Sequence, residues 1–135
     1  MRQMIVAMAV LSFLVASAST VLGKDICLKD NFGNDYVIRK PKALKPKGVI
    51  ALTGIFIRSG DSKFAPFDGS ATLNTAGTVA HFGVFVHTLS IGNNFTAEWI
   101  GDATFAGSGT YANTDLNGSG AISFTVEDCA TVTLP

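Results

Sequence analysis

Phe95-Thr96-Ala97-Glu98-Trp99-Ile100-Gly101-Asp102-Ala103-Thr104-Phe105 alternates residue by residue. Phe95, Ala97, Trp99, Gly101, Ala103 and Phe105 share one parity, and Thr96, Glu98, Ile100, Asp102 and Thr104 the other. Successive side chains of extended chain point to opposite faces, so a period of two marks a strand with one face in a core and the other largely in water. The parity survives whether Gly101-Asp102 closes a two-residue hairpin or forms a bulge in a continuous strand, and the sequence leaves both open.

Outward from this stretch the pattern repeats. β-Branched and aromatic runs alternate with Gly/Asn/Asp/Ser turns, and helical spacing of apolar residues is not sustained after residue 23. The chain therefore reads as all-β, with strands expected at about 25–30, 35–40, 48–58, 67–74, 78–90, 95–100, 103–113 and 120–128. Asn31-Phe32-Gly33-Asn34, Thr75-Ala76-Gly77, Gly92-Asn93-Asn94, Gly101-Asp102 and Asn117-Gly118 supply residues that tolerate the positive φ of tight hairpins, so successive strands should pair antiparallel. Two connections are longer. Lys40 to Lys47 reads as an extended, solvated Pro/Lys segment, and Ser59 to Pro66 as a polar loop whose proline ends strand pairing. Val49 to Ile57 and Phe82-Gly83-Val84-Phe85-Val86 are apolar on both faces, which suits a central strand, cover by a loop, or contact with a partner.

The start of the chain has a different character. Arg2, an apolar core from Ile5 to Val15 broken only by Ser12, and Ala16-Ser17-Ala18 follow the order of a secretory signal peptide. Residues 1–23 are read as that leader, cut after Ala18 or after Gly23, and residues 24–135 as a single all-β domain exported to a periplasm or the extracellular space. Cys27 and Cys129 are the two cysteines of the chain, and in an oxidising compartment they are expected to form one disulfide. A bridge from the first strand to the end of the last favours a small antiparallel up-and-down barrel of about eight strands over a two-sheet β-sandwich, because those strands are neighbours only if the sheet closes. Lipocalin and avidin barrels share that geometry. The sequence has neither a G-x-W near residue 24 nor a run specific to avidins, and assigns no family.

Composition narrows the function classes. Removal of Arg2 with the leader leaves nine Lys/Arg against ten Asp/Glu, so no global field draws the domain to nucleic acid. The charges are segregated, since every Lys and Arg after the leader lies between Lys24 and Lys63. An integral outer-membrane barrel is disfavoured by one Trp and two Tyr, too few for two aromatic girdles. No cofactor and no metal is expected: His81 and His87 share a strand face but stand about 20 Å apart at roughly 3.3 Å per residue. Gly107-Ser108-Gly109-Thr110-Tyr111-Ala112 spells a dinucleotide fingerprint without the helix it needs, and small residues that let strands approach closely explain it better. Asn113-Thr114-Asp115-Leu116-Asn117-Gly118 opens like a calcium loop but has Phe124 at its twelfth position. Asn94-Phe95-Thr96 and Asn117-Gly118-Ser119 are glycosylation sequons, meaningful in a eukaryotic host.

The sequence lacks G-x-S-x-G and H-E-x-x-H and singles out no nucleophile, so a non-catalytic binding domain is the expectation. Its ligand would be a small apolar molecule or a partner protein. Phe95, Trp99 and Phe105 are candidate wall residues through their shared parity, with ordinary core packing as the rival reading. The competing class is a structural or surface-interaction protein that holds an anionic envelope or matrix surface through Arg39, Lys40, Lys42, Lys45 and Lys47.

Overall fold

The computed structural model describes residues 23–87, 94–113 and 118–135. The leader, apart from Gly23, lies outside them, as do residues 114–117 of the calcium-like loop, including the sequon residue Asn117. Eight strands follow one another: β1 (Ile26–Asp30), β2 (Asp35–Ile38), β3 (Val49–Ile57), β4 (Phe64–Leu73), β5 (Ala80–Val86), β6 (Phe95–Gly101), β7 (Gly107–Asn113) and β8 (Gly118–Glu127), with a 3-10 turn at Cys129–Thr131. Each pairs antiparallel with its neighbour in sequence, and β1 pairs with β8. The sheet is therefore a closed up-and-down barrel, and the β1–β8 ladder, from Cys27↔Glu127 to Asp30↔Phe124, rules out the open sandwich.

The parity read from Phe95 holds through β6 to Gly101, whereas Ala103 is exposed in the 102–106 turn and Phe105 is buried by that turn rather than by alternation. Phe95, Ala97, Trp99 and Phe105 point inward and are buried. They meet Leu28, Tyr36, Leu52, Phe56, Phe67, Phe82, Ile122 and Phe124 in one continuous core. A Cβ on Gly69 would lie 1.9 Å from the Gly83 carbonyl oxygen, and one on Gly109 2.0 Å from that of Glu98, so the strands approach at these positions only because side chains are absent. Gly109 belongs to the run that resembled a dinucleotide fingerprint, and close strand packing is its structural role.

Three connections differ from expectation. Strand β4 begins at Phe64, so Pro66 lies within it, opposite Ile55. The Pro66 carbonyl accepts from His87 N, just beyond the last β4–β5 pair at Phe67↔Val86. The missing N–H therefore faces the side where the ladder has already ended, and pairing with β3 loses nothing. Gly101 pairs with Gly107, so the hairpin is closed by residues 102–106 rather than by two residues, and β7 starts four residues later than expected. Phe105 adopts φ 76° to turn its ring into the end of the barrel. The basic segment is not simply solvated: Pro41 is buried and Leu44 packs against the core, so residues 39–47 fold over the same barrel end with their charges outward.

The apolar outer face of β2 and β3 has its cover in the C-terminal tail. Cys27, Val37 and Ile57 are buried beneath Cys129 and Val132. Cys27 and Cys129 are bridged, with Cα atoms 5.3 Å apart, which clamps the tail to the closing seam. At the opposite end, the buried Asp30 carboxylate accepts from Phe32 N, Asn34 N, Asn34 Nδ2 and Tyr36 Oη, fixing the β1–β2 turn. Burial, and then the Asp30 charge, push the Tyr36 phenol well above its ordinary pKa.

Candidate functional site

Phe95, Trp99 and Phe105 come together in the interior, where they are 8%, 2% and 2% exposed. Trp99 lies 3.9 Å between ring centroids from Phe124 and 5.2 Å from Phe82, and its Nε1 donates to the Phe105 carbonyl at 3.0 Å. Phe95 is stacked between Phe56 and Tyr111. A ligand against these rings would have to displace packed side chains, so accessible apolar surface has to be sought outside the barrel.

Such surface lies where β7 stops short of β8. The β7–β8 ladder ends at Gly107↔Phe124, whereas β8 continues beside β1 to Glu127. Val126 has the inward parity of Ile122 and Phe124, yet it is 51% exposed because no β7 residue lies beside it. The result is a cleft of about 970 Å³ between the end of β8 and the 102–106 turn, lined mainly by apolar atoms of Ile26, Ala103, Ala106, Val126 and the Cys27–Cys129 bridge, with Lys24 and Asp25 among the polar residues at its edge.

Electrostatics divide the rim of the cleft. Asp25 takes Lys40 N at 3.1 Å and Arg39 Nη1 at 3.3 Å, tying the start of the domain to the basic segment. Asp128 accepts from Ala130 N as the cap of the 3-10 turn. Glu127 is different: its Oε2 is buried without a hydrogen-bond partner among the described residues, and Lys29 Nζ stands 3.8 Å from Oε1. Burial, and then the neighbouring Asp35 carboxylate, push its pKa up to about 7, against the pull of Lys29.

The five basic candidates occupy the same barrel end. Arg39, Lys40, Lys42, Lys45 and Lys47 are exposed, and Lys40 and Lys47 have positive φ of 40° and 62°. Lys47 N bonds to the Leu73 carbonyl and Leu73 N to that of Gly48, which fixes the end of the segment against β4. A shallower trough of about 780 Å³ crosses the outer face of β4 to β8, lined by Asp68, Ser70, Gly83, Phe85, Thr96 and Glu98 among others. His87 Nε2 lies 2.9 Å from Asp68 Oδ2 at its margin. No group of three or more His, Cys, Asp or Glu among the described residues is placed to hold a metal ion.

Sequence reasoning missed the cleft. Parity alone assigns Val126 to the core, and only the stagger of the ladders shows it uncovered. No protein-family model matches the chain, and no curated protein or solved structure matches it either.

Proposed function

We propose that the chain is an exported, non-catalytic β-domain that binds a small apolar ligand, or an apolar segment of a partner protein, in the cleft beside the end of β8. One observation carries this reading: a cleft of about 970 Å³ with a mainly apolar lining stays open on the outside of a barrel whose interior is filled. The Cys27–Cys129 bridge is consistent with an oxidising, extracytoplasmic compartment. A chain beginning at Lys24 should bind the neutral probe N-phenyl-1-naphthylamine saturably and with little dependence on salt, and Val126→Asp should abolish the response by charging the floor. Absence of saturable binding by that chain would remove the reading.

A second reading keeps the anionic surface as the target. It is supported by the anchoring of Pro41 and Leu44, which holds Lys40, Lys42, Lys45 and Lys47 outward on a fixed loop. Retention on heparin at low salt, lost when these four lysines become glutamine, is its expected result. Wild-type protein that flows through at low salt removes it.

A further inference from the structure

We propose that the trough across the outer face of β4 to β8 binds a neutral oligosaccharide, with Phe85 as the platform for a sugar ring and Asp68 and Glu98 as acceptors for its hydroxyls. The site shares no residue with the cleft at the end of β8 and does not depend on it.

Strand register builds the trough. Asp68, Phe85 and Thr96 lie side by side on β4, β5 and β6, and Ser70, Gly83, Glu98 and Thr110 form the next row, two residues along. These positions have the outward parity, because Phe67, Val84 and Ala97 between the rows are buried. Gly83 sits in the middle of the second row. A Cβ there would meet nothing closer than 4.0 Å, so its missing side chain leaves an open depression, unlike the close approaches at Gly69 and Gly109. The trough of about 780 Å³ shares Ser70, Gly83, Glu98 and Thr110 with a second hollow of about 430 Å³ that runs past His81 toward Ser108, and the two make one continuous channel. At about 4.8 Å between strands and 3.3 Å per residue, Asp68 and Glu98 stand about 12 Å apart, a span that suits several units of an oligomer.

The lining selects the chemistry of the ligand. The Phe85 ring is braced edge-on by His87, at 4.9 Å between centroids and 86° between planes, and His87 Nε2 pairs with Asp68 Oδ2 at 2.9 Å. Ring and carboxylate are thereby held in one arrangement. The electron-rich face of such a ring attracts the polarised C–H groups of a sugar, whose hydroxyls then need partners at its edge. Those partners are present. The Asp68 side chain is 61% exposed, and the side chains of Ser70, Glu98 and Thr110 make no hydrogen bond or ion pair among the described residues. Hydroxyls that donate to a carboxylate make the stronger, charge-assisted kind of hydrogen bond.

Charge narrows the choice further. No Lys or Arg occurs from Phe64 to Pro135, so the face offers a phosphate or an acidic glycan no basic partner. A cation held by charge alone is disfavoured too, because the two exposed carboxylates are separated by more than the Debye length of about 8 Å at physiological salt. A neutral chain that uses the ring, the depression and the hydroxyls together fits what lies between them.

The test titrates the oxidised protein with cellohexaose, laminarihexaose, mannohexaose, xylohexaose and chitohexaose at low and at high salt. Saturable binding of at least one, unchanged by salt, is expected. Gly83→Leu fills the depression from a position where a Cβ is free of contact, and should weaken that binding at least about tenfold without lowering Tm. Phe85→Ala should match it by removing the platform, and Glu98→Gln, an exposed change that keeps an acceptor and loses the charge, should weaken binding several-fold. Binding of none of the five, or binding that Gly83→Leu and Glu98→Gln both leave intact, overturns the proposal. Capture of poly-L-lysine that disappears at high salt, with no oligosaccharide bound, assigns the face to a cationic partner and overturns it as well. So does a wild-type dimer that Gly83→Leu converts to a monomer while no oligosaccharide binds, which assigns the face to a second copy of the chain.

Discussion

Trp99→Phe tests whether the barrel is filled. The indole is 2% exposed, packs against Phe124 and Phe82, and donates from Nε1 to the Phe105 carbonyl at 3.0 Å. Phenylalanine keeps an aromatic ring but removes that donor. The Phe105 carbonyl is then left buried without a partner, at a cost of about 1–3 kcal/mol. The smaller ring also leaves a void of roughly 40 Å³, which at about 24 cal/mol per Å³ adds about 1 kcal/mol. The expected loss is therefore about 2–4 kcal/mol, read as a lower urea midpoint at unchanged m-value by far-ultraviolet circular dichroism. Truncation to alanine would remove about 3–5 kcal/mol for the ring alone, a large part of the roughly 5–15 kcal/mol a domain possesses, which makes phenylalanine the better graded probe. Phe105 holds φ 76° while its carbonyl is engaged, so amide exchange in residues 102–106 should quicken in the variant. A loss below about 0.5 kcal/mol, or wild-type emission characteristic of a solvent-exposed indole, would refute the packed interior.

Further tests address other parts of the barrel. Gly83→Ala should stabilise by about 0.4–1 kcal/mol, since a Cβ there meets nothing closer than 4.0 Å, whereas Gly109→Ala should destabilise because its Cβ would lie 2.0 Å from the Glu98 carbonyl; urea denaturation of the pair decides. Glu127 has a folded pKa of about 7 against an ordinary 4.5, so the folded state retains a proton that the unfolded state has lost between those values, and this group makes stability fall as pH rises from about 4.5 to about 7. Glu127→Gln should flatten that part of the Tm–pH profile and raise Tm at pH 8; an unchanged profile would contradict the assignment. Replacing Cys27 and Cys129 together by serine should cost about 4–5 kcal/mol by the chain-entropy argument while strand content stays the same, measured by denaturation and circular dichroism in parallel.

Much of this fold is legible in particular residues. Phe95 to Gly101 displays its inward face by parity, and Cys27 and Cys129, placed near the two ends of the domain, indicate which strands must meet. The departures have specific causes. Pro66 looks like a terminator until the side its absent N–H faces is known, and that depends on where β5 ends. Lys40 to Lys47 looks solvated because its charges outnumber Pro41 and Leu44, the residues that anchor it. The candidate site was hardest to read. Val126 belongs by parity with Ile122 and Phe124, and its exposure follows from the relative lengths of β7 and β8, a property of the assembled ladder. Phe95, Trp99 and Phe105 were recognisable as neighbours, but whether they enclose space depends on Phe82 of β5 and Phe124 of β8, which pack against them.

The closing seam also shapes the kinetics of folding. Seven of the eight ladders join strands consecutive in the chain, whereas β1 and β8 meet across about a hundred residues. The local hairpins form quickly, but the seam requires the two ends of the domain to find one another, and that search is the slow step of a topology whose other contacts are short-range. The Cys27–Cys129 bridge turns this distant encounter into a neighbouring one. A chain unfolded with its bridge intact should therefore refold faster than one that starts reduced.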